Sequence, residues 1–343
     1  MEKYEILLNA ISQLYFFEEM RLRDICYIRQ EDTDPCRPDL VVNLENCLIA
    51  LKLEIRGNHV PAQGEDHWID ETFASGRIEM LETLRQIRES TLSGYVNHKG
   101  EQLQLRKGHI SAFPVLVLDN GELEQAYPKL LENYTPNGVI VNCMMLPAFR
   151  RICGTLSAPM EFMHFLYYRA AFYGDVKTVT RSFPDAINAD GSIRPVNDVE
   201  LVYKFLAETY GYYKTNIQRF HLDGFGEILR RIPGAAVISR QGKTGEDALR
   251  FLSHFSRAEI SAFMDRIDML KDEAGRGAGG LLSTLRPKDD QYAVFFVAKD
   301  PFPLDALRST LYGSGRLKDI MEVVASRQTD GEIRFRFMLE DLF

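Results

Sequence analysis

In DLVVNLENCLIALKLEIRG, residues 39–57, two apolar runs are separated only by Glu45-Asn46. Two strand-length runs either side of such a pair predict a β-hairpin closed by a tight two-residue turn. Successive side chains of a strand point to opposite faces. Ile49, Leu51, Leu53 and Ile55 therefore share one face of the second strand, and Lys52, Glu54 and Arg56 share the other. Asp39 opens the first strand, so two carboxylates and a cation can meet at one end of the hairpin. Lys-x-Glu-x-Arg on a wet strand is also ordinary cross-strand salt bridging. Topology lowers that reading, because a strand followed by a long helix and two further buried strands belongs in a sheet interior.

Upstream, apolar residues from Tyr4 to Tyr15 recur at helical spacing, a strand is expected near 22–28, and the Asp- and Pro-rich stretch 31–38 is a loop. Downstream, a helix is expected over 70–90, with Ile78, Leu81, Leu84 and Ile87 on one face. AFPVLVLD is a buried strand, ELEQAYPKLLENY a helix interrupted near Pro128, and GVIVNCM a further buried strand. The expected fold class is an α/β N-terminal domain of order αβββαβ, its mixed sheet flanked by helices.

Beyond Pro147 the pattern turns helical, as in MEFMHFLYYRAAFYG, VELVYKFLAETYGYY and EDALRFLSHF, with AAVIS the one short strand candidate. AGRGAGG, 274–280, is expected to be a loop. A strand (YAVFFVA), a helix over 304–312, a second helix reaching about Ser326 and a final strand (EIRFRFML) follow. The reading divides the chain into an α/β domain over 1–155 and a helix-rich α+β region over 156–343 with a terminal βαβ-like element. A length of 343 residues favours two domains over one.

Residues 1–150 carry 15 Lys and Arg against 23 Asp and Glu, whereas the remainder is balanced at 26 and 26. An acidic half is a poor general platform for polyanions, so nucleic acid would have to be met locally or by the second half. Five cysteines without a CxxC pair predict reduced thiols in or near the core. With no long apolar run and no signal-like N-terminus, a cytoplasmic protein is expected.

The order αβββαβ, the Pro38-Asp39 pair and the acid-x-cation group Glu54-Ile55-Arg56-Gly57 resemble the PD-(D/E)xK nuclease superfamily, and within it the nuclease-related domain known as NERD. The resemblance takes in the helix after His67-Trp68 and the strand AFPVLVLD, so it covers residues 1–150. It implies a metal-dependent nuclease, a hydrolase of DNA phosphodiesters using Mg²⁺ or Mn²⁺. Asp39 and Glu54 would hold the metal, with Glu5 as a third carboxylate. Arg56 stands where the family has lysine. It keeps its charge and cannot carry a proton, but it can stabilise a transition state, and Lys52 on the same face can take the vacant role. The family's glutamine on the following helix is replaced, with Arg77 near its place and Gln86 further along. The alternative is a catalytically degenerate module that binds nucleic acid or a protein partner, the C-terminal half supplying contacts.

Other candidates carry less. Gly242-Lys243-Thr244 lacks the glycine a phosphate loop needs five residues earlier, where Val237 stands. His59 and His67 flank a Gly/Pro loop and read as solvated. His164 reads as a core histidine, and the aromatics from Tyr167 to Tyr213 as core packing rather than a base-stacking surface. Arg230, Arg231, Arg240 and Lys243 form a modest basic patch.

Overall fold

The computed structural model describes residues 2–14, 25–28, 37–44, 47–56, 65–105, 111–120, 141–174, 183, 189, 197–232, 237–238, 245–276, 282–285, 292–297 and 319–341. The chain divides into two compact units, Met1–Thr215 and Asn216–Phe343.

The first unit is an α/β unit built on a mixed six-stranded sheet flanked by helices. Its elements are α1 (Lys3–Ile11), β1 (Ile25–Ile28), β2 (Leu40–Leu44), β3 (Cys47–Ile55), α2 (Glu65–Arg88), β4 (Tyr95–Val96), β5 (Ser111–Asp119), β6 (Asn142–Met145), α3 (Leu146–Thr155), α4 (Pro159–Gly174) and α5 (Asp198–Tyr210). The strand order is β4-β1-β2-β3-β5-β6. β2 and β3 are antiparallel with Leu44 opposite Cys47, which leaves two residues for the connection, as the hairpin reading expects. β3 then runs parallel to β5, and β5 parallel to β6. A parallel neighbour requires a crossover, and α2 lies in it.

β3 is covered on both faces, since every residue from Leu48 to Leu51 and also Leu53 is fully buried. Leu48 and Ala50 pack with Leu116 and Leu118 of β5 against Ile69, Phe73, Met80 and Ile87 of α2. The buried stripe of α2 differs from the expected one at Ile78, which is 68% exposed. The helix starts at Glu65 and turns Gly76 inward instead. A Cβ on Gly76 would sit 2.7 and 2.9 Å from the two methyls of fully buried Leu116. We expect Gly76→Val to cost about 1–3 kcal/mol through overpacking, read as a lower urea midpoint with an unchanged slope.

The helices over 159–210 belong with this unit. α4 packs on β5 and β6, and α5 on α3 and α4. Asn197 caps α5 by accepting the Val199 N–H at 2.9 Å, and Gly211 ends it in the left-handed region at φ 71°, where a side chain would be strained. Cys26, Cys47, Cys143 and Cys153 are buried cysteines outside any disulfide. Burial pushes Cys47 up to about 12, which leaves it an inert core residue. The expected helix over 122–134 and Cys36 lie outside the described residues.

The second unit combines helices with a smaller sheet: α6 (Phe225–Arg231), β7 (Val237–Ile238), α7 (Gly245–Ser253), α8 (Arg257–Arg276), β8 (Leu282–Leu285), β9 (Tyr292–Val297), β10 (Asp319–Arg327) and β11 (Ile333–Asp341). The order is β7-β11-β10-β9-β8. Two expectations change here. α8 continues to Arg276, into the stretch read as a loop. The segment read as a helix ending near Ser326 is β10, which pairs along its length with antiparallel β11 and over 319–324 with parallel β9. Its EVVAS run was ambiguous by periodicity, and β-branched Val323 and Val324 suit a strand buried between two others. α8 opens on Ser256, whose backbone N–H and hydroxyl both donate to the Glu259 carboxylate at 2.7 Å, one half of a capping box. The expected helix over 304–312 lies outside the described residues. Among the described residues no helix is long and apolar enough to cross a membrane.

Candidate functional site

β3 outruns its hairpin partner. Pairing with β2 ends at Leu40 opposite Leu51, whereas pairing with β5 continues to Ile55 opposite Asp119. The extra residues 52–55 therefore have a strand on one side only, and the backbone groups on the other side need partners. Asp39, one step before β2, supplies one: its Oδ2 accepts the Leu53 N–H at 2.7 Å. The Pro38 carbonyl just before it accepts the hydroxyl of buried Tyr95 at 2.5 Å, and Arg37 donates to the Ser93 carbonyl at 3.1 Å. β4 and the segment leading into it thus fix where Asp39 begins.

Lys52 and Glu54 share the face of β3 that carries Leu48 and Ala50 deeper in the sheet, so the strand changes from apolar to charged at its open end. Lys52 is 5% exposed. Its Nζ lies 2.5 Å from Glu79 Oε2 on α2 and 3.5 Å from Glu54 Oε1. Lys3, on the first turn of α1, approaches Glu54 Oε2 at 2.9 Å. Desolvation by burial raises the Asp39 carboxyl above the usual aspartate range, outweighing the Leu53 hydrogen bond and the attraction of Lys3 and Lys52, while repulsion from Glu54 adds to the rise. Two ammonium groups thus face three carboxylates.

The remaining expected site residues lie apart. Glu5 is an exposed residue of α1. It stands two positions from Lys3, hence on a different side of the helix, and Lys3 is the residue that reaches the carboxylates. Arg56, beyond the last β3 residue, donates from Nη1 to Asn120 Oδ1 at 3.1 Å, and its N–H bonds the Asp119 carbonyl at 2.9 Å. Gln86 turns along its own helix to Glu82 at 3.4 Å, and the α2 residue that meets the charged strand is Glu79 rather than Arg77. Sequence reading missed Lys3, Glu79 and Asn120. Glu79 lies on the i, i+3, i+7 row with buried Gly76 and Thr83, a row outside the expected stripe of Ile78, Leu81, Leu84 and Ile87.

The burial of Asp39 gives a sign that can be checked. Its folded pKa is raised, so the native state holds the proton more tightly than the unfolded chain and the penalty is full only above the raised pKa. Asp39→Asn keeps an acceptor for Leu53. We expect the variant to be more stable than wild type at neutral pH, with the gap closing as pH falls through the raised pKa to the ordinary aspartate range, in urea melts from pH 7 to pH 3.

Among the described residues no three His, Cys, Asp or Glu side chains are gathered to hold a metal ion. Asp39 and Glu54 nevertheless suit magnesium, which is commonly held by one or two carboxylates and otherwise by water and substrate oxygens. The charge count agrees: a divalent ion in place of Lys3 brings the cluster from net −1 to neutrality.

Elsewhere the outcome is mixed. His164 is exposed on α4, its Nδ1 2.7 Å from the Tyr210 hydroxyl, rather than a core residue. Phe162, Phe165 and Phe172 are core, whereas Tyr167 and Tyr213 are 69% and 58% exposed. Gly242, Lys243, Thr244, His59, Arg240 and the side chain of His67 lie outside the described residues. No family model, curated protein or solved structure matches the chain.

Proposed function

We propose that the first unit is a metal-dependent nuclease of PD-(D/E)xK type that hydrolyses DNA phosphodiesters. The observation that supports it is the gathering of Asp39, Glu54 and Lys52 where β3 outruns β2, in a sheet whose third strand passes to a parallel fifth through a helix. Asp39 and Glu54 would hold Mg²⁺ or Mn²⁺, which when bound polarises the phosphate and lowers the pKa of a coordinated water. Lys3 would have to release Glu54 for the carboxylate to hold the ion. Lys52 stays, held by Glu79, and its ammonium group offsets charge building on the attacked phosphate. Arg56, past the end of β3, donates to Asn120, past the end of β5, and would meet a phosphate bound beside the strand ends. Glu5 has no part in this arrangement.

Linear, plasmid and single-stranded DNA with Mg²⁺ or Mn²⁺ test the reading. Cleavage is expected that stops with a chelator and in Glu54→Gln. Absence of cleavage with either metal, or an equal rate in Glu54→Gln, overturns it.

One observation favours a second reading, in which the cluster is a self-satisfied ion network in a degenerate module that binds nucleic acid or a protein partner. Both Glu54 oxygens already face lysines, at 2.9 and 3.5 Å. Calorimetric titration with Mn²⁺ separates the two, because the degenerate module shows no heat that depends on Glu54.

A further inference from the structure

A groove of about 350 Å³ opens in the second unit between α6 and β11, with Lys271 of α8 at its border. That volume lies at the small end of the range that holds small molecules. Ile333, Phe335 and Phe337 alternate along β11 and so share one face of the sheet. Ile228 of α6 joins them, and a Cβ on Gly275 of α8 would lie 3.9 Å from the Ile333 Cδ1. Phe337 is buried, whereas Ile228, Ile333 and Phe335 are buried only in part. The groove thus has an apolar floor that an occupant can reach.

The border carries charge of both signs. Lys271 is paired with Asp268 at 2.8 Å and Arg334 with Glu332 at 3.2 Å. Glu227 and Arg231 of α6 also line the groove, are exposed, and have no ion-pair partner among the described residues. They stand at i and i+4, which puts their Cβ atoms on one side of the helix about 5–6 Å apart. Side chains at that spacing can pair with each other. An exposed pair of this kind contributes little, so an occupant can part them at small cost.

The two charges narrow the occupant. A lone anion on Arg231 would lie beside the Glu227 carboxylate, and a lone cation on Glu227 beside the Arg231 guanidinium. A nucleic-acid strand would carry its regular phosphates past Glu227 and Glu332. A zwitterion satisfies both groups, and an apolar body on it covers the floor. We infer that this groove binds a free α-amino acid with a large apolar side chain, its ammonium group on Glu227, its carboxylate on Arg231 and its side chain on Ile228, Ile333 and Phe335. An α-amino acid carries both charges on one carbon, which suits two grips one helical turn apart. The site lies wholly in the second unit, so it is independent of DNA cleavage.

Full-length protein is titrated calorimetrically with L-phenylalanine. Saturable binding is expected, with N-acetyl-L-phenylalanine and L-phenylalaninamide each weaker by about tenfold or more, because each loses one charge-assisted contact. Glycine, which has nothing to set on the floor, should give no heat. Glu227→Gln should weaken phenylalanine by a similar factor and leave N-acetylphenylalanine unchanged, and Arg231→Gln should do the same with phenylalaninamide as the unchanged ligand. Both residues are exposed, so circular dichroism of the variants should match wild type. The inference is overturned by no binding up to about 10 mM, by N-acetylphenylalanine, phenylalaninamide or glycine binding as tightly as phenylalanine, by indifference to Glu227→Gln or Arg231→Gln, or by preference for a six-nucleotide oligothymidylate.

Discussion

If the first unit cleaves DNA as proposed, Lys52→Met is expected to lower the rate by about 10²- to 10³-fold, the usual loss when one preorganised group is removed from a developing charge. The residue beyond the acid in the family pattern is here Arg56, which invites assigning the cationic role to it. Geometry argues for Lys52. Its ammonium group is buried and stands between Glu79 and Glu54, whereas the Arg56 guanidinium is directed to Asn120 at the end of β5. A cation held from two sides in a dry setting needs little reorganisation when a phosphate arrives. Glu79→Gln loosens one of those holds and should cost a smaller factor, about tenfold. Arg56→Lys should leave the rate close to wild type. Manganese uptake by Lys52→Met, measured calorimetrically, should persist, which separates lost catalysis from lost metal. If Lys52→Met cleaves like wild type while Arg56→Met does not, the role belongs to Arg56.

Hairpin, crossover helix and parallel strands were legible because each depends on short-range pattern. The pair Glu45-Asn46 between apolar runs fixes a register in which Leu44 faces Cys47, and a continuous apolar run such as AFPVLVLD can be satisfied only between other strands. Asp39, Lys52 and Glu54 were legible for the same reason, since alternation along one strand and one hairpin register brings them together. Lys3 and Glu79 were hidden. Their approach depends on how two helices dock on the sheet, and a charge near an amphipathic helix's buried stripe looks like any solvated charge until the strand beneath it is known. Glu5 shows the same limit from the other side, because it stands two positions, about 200° around the helix, from Lys3, the α1 residue that meets Glu54. β10 failed for a different reason. DIMEVVASR has no clean period of two, since it is covered by strands on both edges and its middle is buried on both faces, so pairing rather than pattern determined its state.

Arg169→Met is expected to destabilise the first unit by about 3–5 kcal/mol, the range for breaking a buried ion pair from one side. Arg169 is 1% exposed on α4. Its Nε donates to Asp198 Oδ1 at 2.7 Å and its Nη2 to Oδ2 at 3.3 Å, a forked contact with the first residue of α5. The same guanidinium donates to the Cys143 carbonyl at 2.8 Å and to Asn142 Oδ1 at 3.4 Å on β6. One side chain therefore ties two helices to the edge of the sheet. Methionine fills much of the volume but leaves a carboxylate, an amide and a carbonyl without their donors. Arg169→Lys should recover only part of the loss, because an ammonium group cannot reproduce the fork. In Arg169→Met with Asp198→Asn the orphaned charge is gone, so the double variant should be more stable than Arg169→Met alone. Asp198→Asn by itself should cost less than Arg169→Met, because the amide keeps an acceptor and Arg169 keeps its bonds to Cys143 and Asn142, even though the carboxylate that the helix dipole favours is lost. Urea melts of the four proteins give the coupling energy of the cycle. A loss below about 1 kcal/mol for Arg169→Met, or no coupling with Asp198, would mean that the fork is incidental and that packing alone holds α4 and α5 to β6.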